Sequence, residues 1–168
     1  FDAMGGSWAE SHGHGSYGPT AVIPWAFAAW ASATGNNWFQ LGTDSSFLKE
    51  MSRWLCYLRV PHNGRHAYID DGGGSKWSAF QASAPFVAKY LNDPLAQNVT
   101  DNAYAQNAYN YGHVWQRLFT DPSIKAKKPE ELDLPLAYLL KGAGHVFMRS
   151  SWADPNATWA FFGAGKHI

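Results

Sequence analysis

The hydrophobic and polar positions divide the chain into helical stretches followed by strand-like ones. Residues 17–34 (YGPTAVIPWAFAAWASAT) are apolar almost all round, which predicts a helix buried on most sides. Pro19 suits a helix start, whereas Pro24 should kink the helix or reset its beginning. Gly35-Asn36-Asn37 predicts a C-terminal cap. Asp44-Ser45-Ser46 offers an N-cap for a second helix over 45–59. There Phe47, Met51, Trp54, Leu55 and Leu58 fall on one face of a 3.6-residue period, with Lys49, Glu50 and Arg53 on the other. Cys56, beside Leu55 on the apolar side, reads as buried rather than nucleophilic.

From 60 to 76 (VPHNGRHAYIDDGGGSK) no period is visible, and an unpatterned stretch of that length points to function or disorder rather than filler. Helical patterns return over 77–92 and 100–119, separated by Asn92-Asp93-Pro94. Residues 120–135 (TDPSIKAKKPEELDLP) form a charged, proline-containing loop that reads as a domain junction. Beyond it the period changes. Residues 145–152 (HVFMRSSW) and 157–162 (ATWAFF) are strand candidates joined by the turn-forming Ala153-Asp154-Pro155-Asn156.

Two strands alone are marginal in water, and Phe147, Trp159, Phe161 and Phe162 would stay partly uncovered. The expected fold class is therefore mainly α with a β part: a section of a larger helical domain, then the first antiparallel strands of a β domain. At 168 residues the chain is too short for three domains. It starts at Phe1 and stops just after a strand-like run, so it reads as a piece of something larger.

Composition narrows the function classes. Thirteen Lys and Arg balance thirteen Asp and Glu, which argues against a general nucleic-acid binder. Aromatics at 16%, with nine Trp, exclude a disordered chain. No apolar run approaches the ~20 residues of a membrane span, and no basic, apolar, small-residue leader pattern is present. One cysteine cannot form an internal disulfide.

Three clusters carry candidate chemistry. The first, Trp8 to Gly18, holds Glu10, His12, His14 and Tyr17 among glycines just before the first helix. It is either a set of ionisable groups around an anion-binding helix start or a solvated cap. Metal ligation by His12 and His14 lacks the third and fourth ligands at a recognisable spacing, so no metal is expected there. The second cluster is the unpatterned loop with His62, Arg65, His66, Tyr68, Asp70 and Asp71. A phenol of ordinary pKa near 10 is a poor base at neutral pH, and lowering it by two units needs about 2.7 kcal/mol of preferential phenolate stabilisation. Neighbouring Arg65 or His66 could supply that in a cleft; the alternative is a tyrosine that packs the loop down. The third cluster, Tyr104, Tyr109, Tyr111, His113 and Trp115, reads as core or as a sugar-stacking surface. A GxSxG elbow, a GxxxxGK[ST] phosphate loop and a strand-linked GxGxxG are all absent.

Taken together, these stretches resemble the heparinase II/III-like polysaccharide lyases. Trp8-x-Glu10 through His14-Gly15-Ser16-Tyr17-Gly18 is similar to the segment that opens an inner helix of that family's α/α toroid. Arg59-x-Pro61-x-Asn63-Gly64 to Tyr68-x-Asp70 is similar to its tyrosine-bearing loop, with Asn63 where the family often has Asp and Ile69 where it has Gly. Gly144 to Trp152, followed by Ala157 to Phe162, resembles the opening hairpin of its β-sandwich.

The resemblance implies that residues 1–130 are the C-terminal part of an incomplete α/α-toroid catalytic domain and 131–168 the truncated beginning of a β-sandwich. It implies cleavage of a uronate-containing, anionic polysaccharide by β-elimination, in the periplasm or outside the cell. Tyr68 would be the general base and acid, and His14 or His12, with Glu10, would neutralise the uronate carboxylate. Trp8, Tyr17, Arg65, His66 and Asp70 would bind substrate, in a local basic groove to which Arg59, Lys76 and Arg117 could add. No cofactor is required by this chemistry; a divalent metal (Zn or Ca) seen in some members would have its ligands beyond Ile168. The remainder of the parent chain is an expected partner, and a homo-oligomer stays open. Two other readings compete: a toroid glycoside hydrolase pairing Glu10 with Asp70 or Asp71, and a non-catalytic carbohydrate-binding piece that stacks sugars on Trp and Tyr.

Overall fold

A computed structural model of the chain describes residues 22–40, 47–67, 69, 80–105 and 118–164. Among these, four α-helices precede a three-stranded antiparallel sheet: α1 (Val22–Thr34), α2 (Phe47–Leu58), α3 (Phe80–Leu91), α4 (Pro94–Ala105), β1 (Ala137–Leu140), β2 (His145–Arg149) and β3 (Trp159–Gly163). Single 3-10 turns lie at Trp38–Gln40 and Pro129–Leu132. The mixed helical and strand content agrees with the expected class.

Local chemistry sets the helix ends. Pro24 stands in the first turn of α1, where its missing N–H costs little, so it resets the helix start rather than kinking it. Gly35 adopts φ +76 and donates its N–H to the Ala31 carbonyl at 2.9 Å, a left-handed C-terminal cap. The same logic ends α3 with an asparagine. Asn92 has φ 52, and the Asp93 N–H reaches the Ala88 carbonyl at 3.0 Å. Asp93 then caps the next helix, its carboxylate accepting from the N–H groups of Leu95 (2.8 Å) and Ala96 (3.3 Å). The helix expected from 100 therefore begins at Pro94. Proline reads as a break in sequence, yet here it occupies the first helical position; residues 106–117 of that expected helix lie outside the described residues. Pro85 sits inside α3 and removes one ladder bond there, to the carbonyl of residue 81.

Tertiary packing corrects the expectation for α1. Pro24 and Ala28 are its buried residues, while Val22 and Trp30 are 54% and 41% exposed. Among the described elements it packs chiefly against α3 and the Trp38–Gln40 turn. Trp30 stacks on Trp38 at 4.4 Å between centroids, and Phe39 stacks on Tyr90 at 4.7 Å. Asn37 fastens this corner, donating its amide to the Tyr90 carbonyl at 2.9 Å.

Helix α2 follows the predicted pattern: Phe47, Met51, Trp54, Leu55 and Leu58 are buried, and Lys49, Glu50 and Arg53 are partly exposed. It packs against α3, α4 and β2, so Ser52, Cys56 and Tyr57 are buried as well. Burial pushes the Cys56 thiol from its ordinary 9.0 up to about 12, with Arg59 opposing in part. Between those values the unfolded chain releases this proton and the folded chain keeps it. Folding stability should then be whole below pH 9.0 and fall above it, by about 1.4 kcal/mol per pH unit for one proton. Urea unfolding from about pH 8 to about pH 11 checks this: Cys56→Ala should flatten the alkaline decline by one proton's slope, and an unchanged slope would contradict it.

The sheet has the order β1-β2-β3, with Leu140 opposite His145, Phe147 opposite Phe161 and Arg149 opposite Trp159. Strands β2 and β3 were expected; β1 was not. Its sequence, Ala-Tyr-Leu-Leu, is apolar at every position, so the two-residue alternation that marks a half-buried strand is absent. One sheet face docks Tyr138, Leu140, Phe147, Trp159 and Phe161 onto the helical core, and a single hydrophobic cluster runs from Phe47 through Ile69 and Val87 to Leu140 and Phe147. The opposite face carries Leu139, Met148 and Phe162, which are 53%, 43% and 60% exposed. Both faces of β1 are apolar, while β2 adds the buried His145 and Arg149 to the inner face of the sheet.

Candidate functional site

The chain leaves the C-terminal end of α2 at Arg59 and turns straight back in a short hairpin that ends at Ala67. Arg59 pairs with His66 in an isolated antiparallel bridge. The Val60 N–H donates to the Arg65 carbonyl at 2.8 Å, and the Ala67 N–H donates to the Leu58 carbonyl at 2.9 Å. The motif residues build the turn. Gly64 has φ +63, a conformation that costs other residues about 1–2 kcal/mol, and its N–H reaches the Val60 carbonyl at 2.9 Å. Asn63 accepts the Arg65 N–H on its side-chain oxygen at 2.8 Å, the short-range bonding for which Asn and Asp suit turns equally. Asparagine at position 63 thus makes the turn contact that an aspartate would make. Arg59 donates Nε to the Gly64 carbonyl at 3.2 Å, which ties root to tip.

Arg65 is exposed and His66 is 4% exposed, so these neighbours point to opposite environments. Ala67 packs against the core and Ile69, 6% exposed, belongs to it. Tyr68, Asp70, Trp8, Glu10, His12, His14 and Tyr17 lie outside the described residues, as do Lys76, Asp71 and Arg117. The aromatic cluster from Tyr109 to Trp115 lies outside them too.

The hairpin root is gripped from the sheet. Arg149 on β2 is 9% exposed and donates Nη2 to the carbonyls of Cys56, Tyr57 and Arg59 at 3.3, 3.2 and 2.9 Å. These carbonyls close α2, where a cation is favoured by the helix dipole. The guanidinium lies over the Trp152 ring at 3.8 Å, and Trp159 donates its indole N–H to the same Tyr57 carbonyl at 2.9 Å. Burial lowers the Arg149 pKa from 12.5 to about 10. Sequence reasoning passed over Arg149 as a functional residue; the available signal was an arginine at an inward position of a largely apolar strand, in phase with Phe147.

Two other tyrosines join helix to sheet. Tyr57 donates its hydroxyl to the Pro135 carbonyl and stacks on Tyr138 at 4.6 Å, and Tyr138 donates to the Glu50 carboxylate, which also pairs with Arg53. Burial pushes the Tyr57 phenol up to about 12, and burial together with the Glu50 hydrogen bond raises Tyr138. Both move away from what a general base needs at neutral pH. Their work is structural.

Among the described residues, no three His, Cys, Asp or Glu side chains gather as a metal ion would require, and no helix is long and apolar enough to cross a membrane. Comparison with protein-family models, curated proteins and solved structures finds no match to this chain.

Proposed function

We propose that the chain is part of a polysaccharide lyase that cleaves uronate-containing polymers by β-elimination. The observation that carries this reading is the run Arg59-x-Pro61-x-Asn63-Gly64 to Tyr68-x-Asp70, in which the first four named residues lie in a hairpin that ends with Arg65 exposed. Tyr68 follows this hairpin in sequence and precedes Ile69, which is anchored in the core.

In the proposed reaction, Tyr68 as phenolate removes the proton at C5 of the uronate. The electron pair of that C–H bond becomes a C4=C5 double bond, and the bond from C4 to the glycosidic oxygen breaks. The departing oxygen takes the proton from Tyr68, which restores the phenolate, and no water enters the product. Abstraction places a second negative charge on the carboxylate side of the ring. His14 or His12, with protonated Glu10, neutralises it in the manner of an oxyanion site. Trp8, Tyr17, Arg65 and Asp70 hold the polymer, while His66, which is 4% exposed, supports the hairpin from beneath. The chemistry needs neither a redox cofactor nor a covalent intermediate.

The finer architecture belongs to the same proposal: 1–130 as the end of an α/α toroid and 131–168 as the start of a β-sandwich. The doubly apolar sheet supports it, because a sheet with Leu139, Met148 and Phe162 on its outer face needs a second layer. So does the pairing of α3 and α4 into a helical hairpin across Asn92-Asp93. The proposed setting is periplasmic or secreted, with an anionic polysaccharide as substrate.

Product analysis tests the reading. The full-length protein, incubated with heparin, another glycosaminoglycan or alginate, should give ultraviolet-absorbing unsaturated ends. Saturated reducing ends would assign a hydrolase, and binding without turnover a carbohydrate-binding piece; either result would overturn the lyase.

A further inference from the structure

We propose that Arg149 is a positioning residue for substrate: from the sheet it holds the root of the Arg59–Ala67 hairpin, and thereby the presentation of Arg65 to the carboxylates of a uronate polymer. The proposal rests on the lyase reading for the role of Arg65, and on geometry for the role of Arg149.

The connection is continuous through Arg59. Its carbonyl receives Nη2 of Arg149 at 2.9 Å, and its own Nε reaches the Gly64 carbonyl at 3.2 Å. From Gly64 the turn passes directly to Arg65, whose N–H is held by Asn63 and whose carbonyl is held by Val60. Among the described residues, the side-chain hydrogen bonds of Arg149 all go to main-chain carbonyls and none to a carboxylate. A buried cation with no ionic partner among the described residues is a costly way to fill space, and an apolar side chain of similar volume could pack on Trp152 without that desolvation. What the guanidinium adds is geometric. One planar donor group fixes the last turn of α2 and the first residue of the hairpin in a single arrangement, and aromatic rings hold that plane: Trp152 at 3.8 Å and Tyr57 at 5.9 Å. All three bonds leave one nitrogen, Nη2, so what a lysine ammonium lacks here is the flat face that stacks on Trp152.

The test compares the full-length wild-type protein with Arg149→Met, Arg149→Lys and Arg65→Ala. Amide hydrogen exchange is read at Val60, Gly64 and Ala67 in the hairpin, and at Val87 and Ala88 in α3. Binding is read with a heparin oligosaccharide and an alginate oligosaccharide. Arg149→Met should speed exchange in the hairpin by about tenfold or more while α3 stays unchanged, since charge-assisted hydrogen bonds are lost at one place only. It should weaken oligosaccharide binding by a similar factor. Arg149→Lys should fall between wild type and Arg149→Met, and it carries the test if the methionine variant does not fold. Arg65→Ala should weaken binding with hairpin exchange unchanged.

Exchange that rises equally in hairpin and α3, or not at all, would overturn the positioning role. So would unchanged binding over a loosened hairpin. If the wild-type protein binds neither oligosaccharide, the polysaccharide reading and the role of Arg65 fail together. The exchange results would still separate that failure from a failure of the Arg149 clamp.

Discussion

Tyr68→Phe is expected to remove the β-elimination activity proposed for the full-length protein, with a loss of about 10²–10⁴-fold or more, the usual span for a positioned acid–base group. Phenylalanine keeps the ring and deletes the oxygen that, in the proposed reaction, takes the C5 proton and returns it to the leaving group. Steric change is therefore minimal and the chemical change complete. The measurement is the initial rate of ultraviolet absorbance from unsaturated ends, with far-ultraviolet circular dichroism as the check that the fold is intact. Turnover retained within a few-fold would take Tyr68 out of the base role. The two structural tyrosines sharpen the point. Tyr57 is pushed up to about 12 and Tyr138 is raised, in each case first by burial, so neither is a substitute base near neutrality.

Phe147→Ala is the second large effect, and it falls on stability. Phe147 is 0% exposed and packs with Phe161 at 5.3 Å and Trp159 at 6.3 Å between centroids, in the cluster that joins the sheet to α2 and α3. Removing a buried phenyl group costs about 3–5 kcal/mol through lost burial and the cavity left behind. The upper part of that range is expected here, because β2 is the central strand and has a neighbour on each side. Urea unfolding of the variant against wild type measures it. A loss below about 1 kcal/mol would mean that the site collapses freely and that Phe147 does not fasten the sheet to the helices. Val146, half-buried and next in sequence but on the other sheet face, gives the contrast within one strand.

Much of the helical half was legible because its signals are local. The apolar spacing of α2 needs only the period of the helix, and the cap at Gly35 needs only a left-handed residue at the right offset; the cap at Asp93 was read as a break, because Pro94 follows it. Strand β1 was not legible, because an unbroken Ala-Tyr-Leu-Leu carries no alternation when both sheet faces are apolar. The burial of α1 was over-read for a related reason: composition says that a helix can be buried, not which neighbours exist to bury it. The hairpin motif was legible as residues but not as work. That Arg59 and Asn63 are occupied in making a turn, and that of the adjacent Arg65 and His66 one is exposed and the other buried, follows only from the folded chain.

By itself, then, the amino-acid order determined the elements whose causes lie within a few residues: the buried face of α2, the cap at Gly35 and the strand pair β2–β3. It also determined the chemical inventory from which a lyase is proposed. Tertiary structure alone decided what depends on groups distant in the chain. Arg149 reaches carbonyls more than 85 positions earlier, Trp159 shares one of them, and Tyr138 finds Glu50 across the helix–sheet boundary. Such contacts leave no periodic trace, because a main-chain carbonyl accepts a hydrogen bond whatever its side chain is.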